Sequence, residues 1–417
     1  MKRILGIAMA LGLVGALTVM AQAVTLPDPL LMADGTQITD AGQWRGERRP
    51  ELIQFLTREM YGQMPPKPQA MTFQVVDNEA RALGGKATRR QVRVFFNGKA
   101  DGPQMDLLLY LPNDAPKSVP MILGLNFWGN HAVHADPGIR ITQSWMESGR
   151  NSYVDLSGVK DHRATGACRG INAKQWPVEE ILARGYGLAT VYRGDIAPDT
   201  PHDWKSGLHG LYPTLQGRGD NVATIGAWAW GLSRALDYLV TDEDVSASRV
   251  AVFGWSRLGK AALWAGAKDE RFALVLSHQS GAGGAKLFHR GVGENITRLN
   301  TVFPHWFAAN FRRYNNQDTS LPWDQHQVIA LVAPRPVFIA SAQDDKLADP
   351  EGEFASARAA NPVFRLLGTD GLPTGEWPQP LSGQVGYFMR PGGHDVTRED
   401  WQQHLTFADK HLKKNGR

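Results

Sequence analysis

The sequence predicts an α/β protein: a mostly parallel, twisted sheet with helices on both faces, three layers in all. Nearly continuous apolar runs recur at residues 119–127, 187–192, 272–277 and 336–341, as expected for strands covered on both sides. Helical segments lie between them, so strand and helix alternate at the spacing of parallel crossover units. Composition agrees: 42% hydrophobic and 21% charged residues over 417 positions is too apolar for disorder and ample for a large core.

Taken in order, the chain opens with Lys2 and Arg3, an apolar stretch over 4–20, and Ala21-Gln-Ala23. A basic start, a short apolar run and an A-x-A site make up a secretory signal peptide. Cleavage after Ala23 predicts an exported protein, periplasmic or extracellular, with no membrane span in the mature chain; a retained anchor is the alternative. Residues 24–417 then form one catalytic domain. Residues 24–62 read as an N-terminal wrap with helical pieces. Segments 71–76, 91–96 and 105–111 are β-rich, and the first alternates like an antiparallel strand with one exposed face. A short helix over 177–184 starts at Pro177 and stops at Gly185. Residues 222–240 place Ile225, Trp228, Leu232, Leu236 and Leu239 on one helical stripe. A strand over 249–253 leads into an alanine-rich helix over 258–267, and 385–389 reads as the last strand. An insertion over about 282–329 carries three aromatic-rich clusters. No fixed-period repeat or low-complexity tract interrupts this order.

The net charge of +4 comes from 45 basic and 41 acidic residues without a basic run, which gives no footing for a nucleic-acid partner. The single cysteine, Cys168, cannot form an intramolecular disulfide or a multi-cysteine zinc site, and reads as a buried small apolar residue. Export without disulfides suits a bacterial periplasm or exterior. His131, His134 and His289 lack any metal-ligand spacing, so neither metal nor cofactor is expected.

The strongest local pattern is Arg249-Val-Ala-Val-Phe-Gly-Trp-Ser-Arg-Leu-Gly-Lys-Ala-Ala-Leu-Trp264. A β-branched run, a glycine, a serine and an immediate helix form the strand–turn–helix context of a nucleophile elbow. A serine hydroxyl is a weak nucleophile. It needs a tight turn that presents it to a base, beside helix N-terminal amides that can stabilise a developing oxyanion. Here the spacing is Gly-x-Ser-x-x-Gly, one residue longer than usual, and the bland alternative is a serine N-cap on a buried helix. A hydrolase of this kind places its acid and then its histidine later in the chain. After the strand over 336–341 comes a loop offering Asp344, Asp345 and Asp349, and after the last strand comes Gly392-Gly-His-Asp395. His394 could take the serine proton on Nε2 while an acid orients Nδ1.

These residues resemble carbohydrate esterase family 15, the glucuronoyl esterases. Gly254-Trp-Ser-Arg-Leu-Gly259 is similar to that family's Gly-Cys-Ser-Arg-x-Gly motif. Asn126-Phe-Trp-Gly-Asn-His131, Trp176-Pro-Val-Glu-Glu-Ile-Leu-Ala-Arg-Gly185, Ser280-Gly-Ala-Gly-Gly284 and Gly293-Glu-Asn295 resemble its bacterial branch. So do the Asp-Asp-x-x-Ala-Asp-Pro and Gly-Gly-His-Asp segments, and the likeness runs from about Asn126 to the C-terminus.

The resemblance implies an α/β-hydrolase that cleaves esters between (4-O-methyl)glucuronic acid on xylan and lignin alcohols; a monomer is expected. It implies Ser256 as nucleophile, His394 as base and Arg257 as oxyanion stabiliser, with Lys260 and Glu294 on the sugar hydroxyls. Trp306, in Pro304-His-Trp-Phe307, is a further candidate for stacking on a sugar. Fungal members carry their acid at the position of Gln279, and a glutamine cannot supply that charge. The later loop then provides it, with Asp345 chosen and Asp344 the competitor. The motif cysteine is Trp255 here, and Leu347 stands where relatives often place a sugar-stacking tryptophan. The rival readings are an acetyl xylan esterase or another serine esterase on the same fold, and an inactive carbohydrate-binding member.

Overall fold

The computed structural model describes residues 25–149, 151–202, 207–374 and 382–413. The expected leader, 1–23, lies outside them. Nine strands of the described residues share one sheet: β1 (Thr72–Ala82), β2 (Ala87–Phe95), β3 (Gln104–Pro112), β4 (Val119–Asn126), β5 (Gly187–Tyr192), β6 (Val245–Trp255), β7 (Leu274–His278), β8 (Val337–Ala342) and β9 (Val385–Arg390). Their order is β1-β2-β3-β5-β4-β6-β7-β8-β9. The first three strands and the β3–β5 pair are antiparallel; every later pair is parallel.

Alternation along each strand builds two separate cores. Met121, Leu123 and Leu125 of β4, with Val250 and Val252 of β6, point to one face. Ile122, Ala251 and Phe253 point to the other, as the period of two requires. The first face is covered by helices Thr224–Leu239 and Arg257–Lys268, the second by Val178–Ala183 and Arg398–Leu412. β1 runs to Ala82, further than its sequence pattern predicts, with Asp77, Glu79 and Arg81 along an edge strand. Charges on an edge discourage pairing with a second sheet.

Thr224–Leu239 departs from its sequence reading. It is buried on all sides rather than along one stripe, because the N-terminal wrap and the insertion close over its outer face. Gly226 lets the wrap approach: a Cβ there would lie 2.4 Å from the Tyr61 carbonyl. The first amides of the helix donate to the carbonyls of His305 (3.0 Å) and Trp306 (3.1 Å) in the insertion. The aromatic clusters of the insertion serve packing. Trp323 meets Phe55 at 5.2 Å between ring centroids, and Phe307 meets Tyr61 at 5.9 Å. Tyr61 in turn stacks on the fully buried Trp264 at 4.2 Å. Aromatic pairs of this kind contribute about 0.5–1.5 kcal/mol each beyond their buried area.

Every parallel strand therefore delivers its carboxyl end to one rim. β4 ends before Phe127, β5 before Arg193, β6 before Ser256, β7 before Gln279, β8 in the loop to Asp345, and β9 in the loop to His394. In open α/β sheets this rim is where ligands bind.

Candidate active site

Ser256 sits between the end of β6 and helix Arg257–Lys268 with φ 59° and ψ −130°. That left-handed region disfavours a residue with a Cβ, and holding it costs about 1–3 kcal/mol. The flanking glycines make the turn sterically feasible. A Cβ at Gly254 would lie 2.0 Å from the Leu258 carbonyl oxygen, and one at Gly259 would lie 2.9 Å from that of Gly254. A Cβ at Gly259 would also crowd Ser280 and the carbonyl of His278, the last residue of β7, so the second glycine of Gly-x-Ser-x-x-Gly is required at that position. The Ser256 N–H donates to the His278 carbonyl at 2.9 Å, locking the turn to β7. The first-turn amides of Arg257 and Leu258 have no intrahelical acceptor.

His394 shares a cavity of about 170 Å³ with Ser256 and Arg257. Its Nδ1 is 2.6 Å from Asp345 Oδ2. Asp345 is buried, whereas Asp344 is exposed, so the structure brings the first to the imidazole and turns the second to solvent. The Asp345 carboxylate is itself fixed, its Oδ1 accepting the Ala348 N–H at 3.4 Å. The histidine loop is tied down by Arg390, whose Nη2 donates to the carbonyls of Gly393 (3.0 Å) and Asp395 (2.7 Å). Gln279 Oε1 accepts the Asp395 N–H at 3.1 Å; the residue at the fungal acid position thus holds the backbone next to His394.

The same cavity is walled by Phe127, Trp128, Tyr153 and Trp255, with Glu147, Asn151 and Arg193. The Trp255 ring lies 5.3 Å from the His394 ring. Of these residues, Trp255 and the Phe127-Trp128 pair had drawn notice in the sequence through the family resemblance, whereas Tyr153, Glu147, Asn151 and Arg193 had not. Arg193 had a readable signal, a cation directly after the buried strand β5.

Arg257 Nη1 donates to Asp199 Oδ2 at 2.6 Å, and its guanidinium lies 4.6 Å from the Trp306 ring centroid. Lys260 does not line this cavity. It is 4% exposed, and its Nζ donates to the carbonyls of Ser280 (2.7 Å) and Ala282 (2.6 Å). Burial pulls its ammonium down to about 8 against the attraction of Glu294, whose Oε2 is 3.9 Å away. Trp306 meets an obstacle to sugar stacking. It is 3% exposed, with Phe303 stacked on it at 3.7 Å and Arg257 also against its ring. Its Nε1–H donates to Asp199 at 2.8 Å, so its observed role is to pack and to hold that carboxylate. Among the described residues, no group of three or more His, Cys, Asp or Glu side chains is placed to hold a metal ion.

The chain is 48% identical over 395 residues to a carbohydrate esterase, MZ0003, from an unknown prokaryotic organism, covering 93% of this chain and 90% of that protein. It is 32% identical to the 4-O-methyl-glucuronoyl methylesterase 1 of Wolfiporia cocos, over 82% of this chain and 72% of that one. This chain belongs to carbohydrate esterase family 15, the glucuronoyl esterases. The esterase is therefore a carboxylic ester hydrolase with an α/β-hydrolase fold. The family model for fungal glucuronyl esterases matches its residues 171–368. A solved glucuronoyl esterase from Solibacter usitatus superposes on the esterase with a TM-score of 0.85 at 43% identity, covering 94% of this chain and 99% of that one.

Proposed function

We propose that the protein cleaves esters joining the carboxyl of glucuronic acid on xylan to lignin alcohols, by a two-step acyl-enzyme route. The observation that carries this reading is the 2.6 Å contact between His394 and Asp345 at the cavity that holds Ser256 on its strained turn. His394 Nε2 takes the Ser256 proton as Oγ attacks the ester carbonyl, and Asp345 holds the ring in the tautomer that can accept it. The oxyanion is met by the first-turn amides and Arg257. His394 then protonates the departing alcohol, which leaves along the aromatic wall of Phe127, Trp128 and Tyr153. Water, deprotonated by His394, releases the uronate and restores the serine. Lys260 and Glu294 lie on the insertion side of Ser256, and we assign the sugar to that side. The basic, apolar, A-x-A pattern of residues 1–23 supports export, and no helix of the described residues is long and apolar enough to cross a membrane.

The test is hydrolysis of a benzyl glucuronate ester compared with acetylated xylan, using wild type and Ser256→Ala. Higher kcat/KM on the glucuronate, lost in the variant, is the expected result. Preference for acetylated xylan would overturn the substrate assignment, and activity surviving Ser256→Ala would overturn the nucleophile.

A further inference from the structure

Asp199 lies beyond β5, in a segment with no catalytic motif, yet it joins three parts of the chain at the rim. Its carboxylate is 4% exposed and accepts from four groups. Arg193 Nη1 and Arg257 Nη1 reach Oδ2, the latter at 2.6 Å. His305 Nε2 (2.7 Å) and Trp306 Nε1 (2.8 Å) reach Oδ1. Arg193 follows the strand, Arg257 follows the nucleophile, and His305 and Trp306 belong to the insertion. Burial opposes the charge on Asp199, but Arg193 and Arg257 outweigh it and hold the carboxyl well below the usual range.

Arg257 has the freedom of a long side chain and is 28% exposed. Besides its contact with Asp199, among the described residues it packs against the rings of Phe303 and Trp306. Asp199 fixes one terminal nitrogen of a side chain that lines the cavity of Ser256, and the buried Nε–H has no partner among the described residues. The partly exposed guanidinium of that side chain stands beside Ser256, where a developing oxyanion requires a fixed donor. A carboxylate this close would by itself cancel the positive field of Arg257. Arg193 supplies the compensating charge. It is 3% exposed, lies in the same cavity and pairs with the same Oδ2. Two guanidiniums and one buried carboxylate leave this cluster with net positive charge; among the described residues that line the cavity the one carboxylate is Glu147, exposed to solvent and 3.6 Å from Arg193.

We infer that Asp199 is a positioning residue, which aims the Arg257 guanidinium at the ester oxygen while Arg193 preserves the positive field. This rests on the oxyanion role proposed for Arg257. A positioned donor of this type is worth about 10²–10³ in kcat, and losing its aim rather than the group itself should cost part of that.

The test is a double-mutant cycle on a benzyl glucuronate ester with Asp199→Asn, Arg257→Ala and the double variant, each checked by thermal unfolding. Asp199→Asn should lower kcat about 10- to 100-fold with KM changed less than about threefold, and should add less than about threefold in the Arg257→Ala background. If Asp199→Asn fails to fold, Asp199→Glu keeps the charge and moves it by one methylene. Loss of kcat in a folded Asp199→Glu protein, absent from its Arg257→Ala background, supports positioning. Full activity of Asp199→Glu, or losses that multiply in the double variant, overturns it. An Arg257→Ala protein of unchanged kcat removes both this role and the oxyanion reading. A large loss in Arg257→Ala with none in Asp199→Asn removes only this one.

Discussion

Replacing Asp345 by Asn changes one atom at the most constrained contact of the site. Asp345 Oδ2 lies 2.6 Å from His394 Nδ1, and the carboxyl is 8% exposed, so water has little room to replace it. Asn occupies the same volume but can present an N–H to the ring. Nδ1 must then accept, the ring proton moves to Nε2, and His394 loses the lone pair proposed to take the Ser256 proton. The same tautomer change in a serine triad costs about 10⁴ in kcat. His394 is 26% exposed, so solvent can partly restore the productive tautomer. A fall of about 10³–10⁴, some 4–5 kcal/mol of transition-state stabilisation, is therefore expected. Initial rates on a benzyl glucuronate ester give the number, and Asp344→Asn is the internal control. Asp344 is exposed, and its change should stay within about twofold, the range of ordinary surface substitutions. Asp345→Asn retaining more than a tenth of wild-type kcat, or a larger loss in Asp344→Asn, would refute this assignment.

Gly254→Ala should destabilise the protein by about 1–3 kcal/mol in denaturant unfolding and lower kcat as well, since its Cβ would lie 2.0 Å from a backbone oxygen of the elbow. Unchanged stability would show that the turn relaxes freely. Glu353 is fully buried beneath the site, bonded to Ser341 Oγ at 2.5 Å and the Gly281 N–H at 2.8 Å. Burial raises its carboxyl from 4.5 to about 7. The folded state thus keeps a proton that the unfolded chain releases, and the resulting stability is present below pH 4.5 and lost as pH rises through about 7. Glu353→Gln should flatten that decline, which is on the order of 3 kcal/mol, in unfolding curves measured from pH 4 to 8. Leu347 is 55% exposed, and its carbonyl accepts the Glu294 N–H at 3.0 Å. Leu347→Trp adds a ring at that rim and should lower KM on uronate esters about two- to tenfold, with kcat little changed.

The parallel strands were legible because burial on both faces leaves a continuous apolar run, which is a local property. The helix Arg398–Leu412 had a local signal as well. Thr397 and Asp400 form a capping box ahead of the buried Trp401, Leu405, Ala408 and Leu412, although polar residues between them dilute the stripe. For Thr224–Leu239, periodicity revealed the helix but not its complete burial. Its outer cover comes from residues near 61 and 305, brought there by the fold.

By itself the sequence determined the sheet, the turn that carries Ser256, and the placing of Asp345 and His394 in loops after late strands, all written in neighbouring residues or their spacing. A family resemblance favours Asp345 over Asp344 in the sequence, but only the tertiary structure shows that Asp345 faces His394, because adjacent residues in a loop point in directions that the surrounding strands define. Tertiary structure also decided that Trp306 is enclosed by Phe303 and Arg257, and that Asp199 gathers two arginines from separate segments. Enclosure and convergence are sums over distant contacts, and no window of sequence contains both partners.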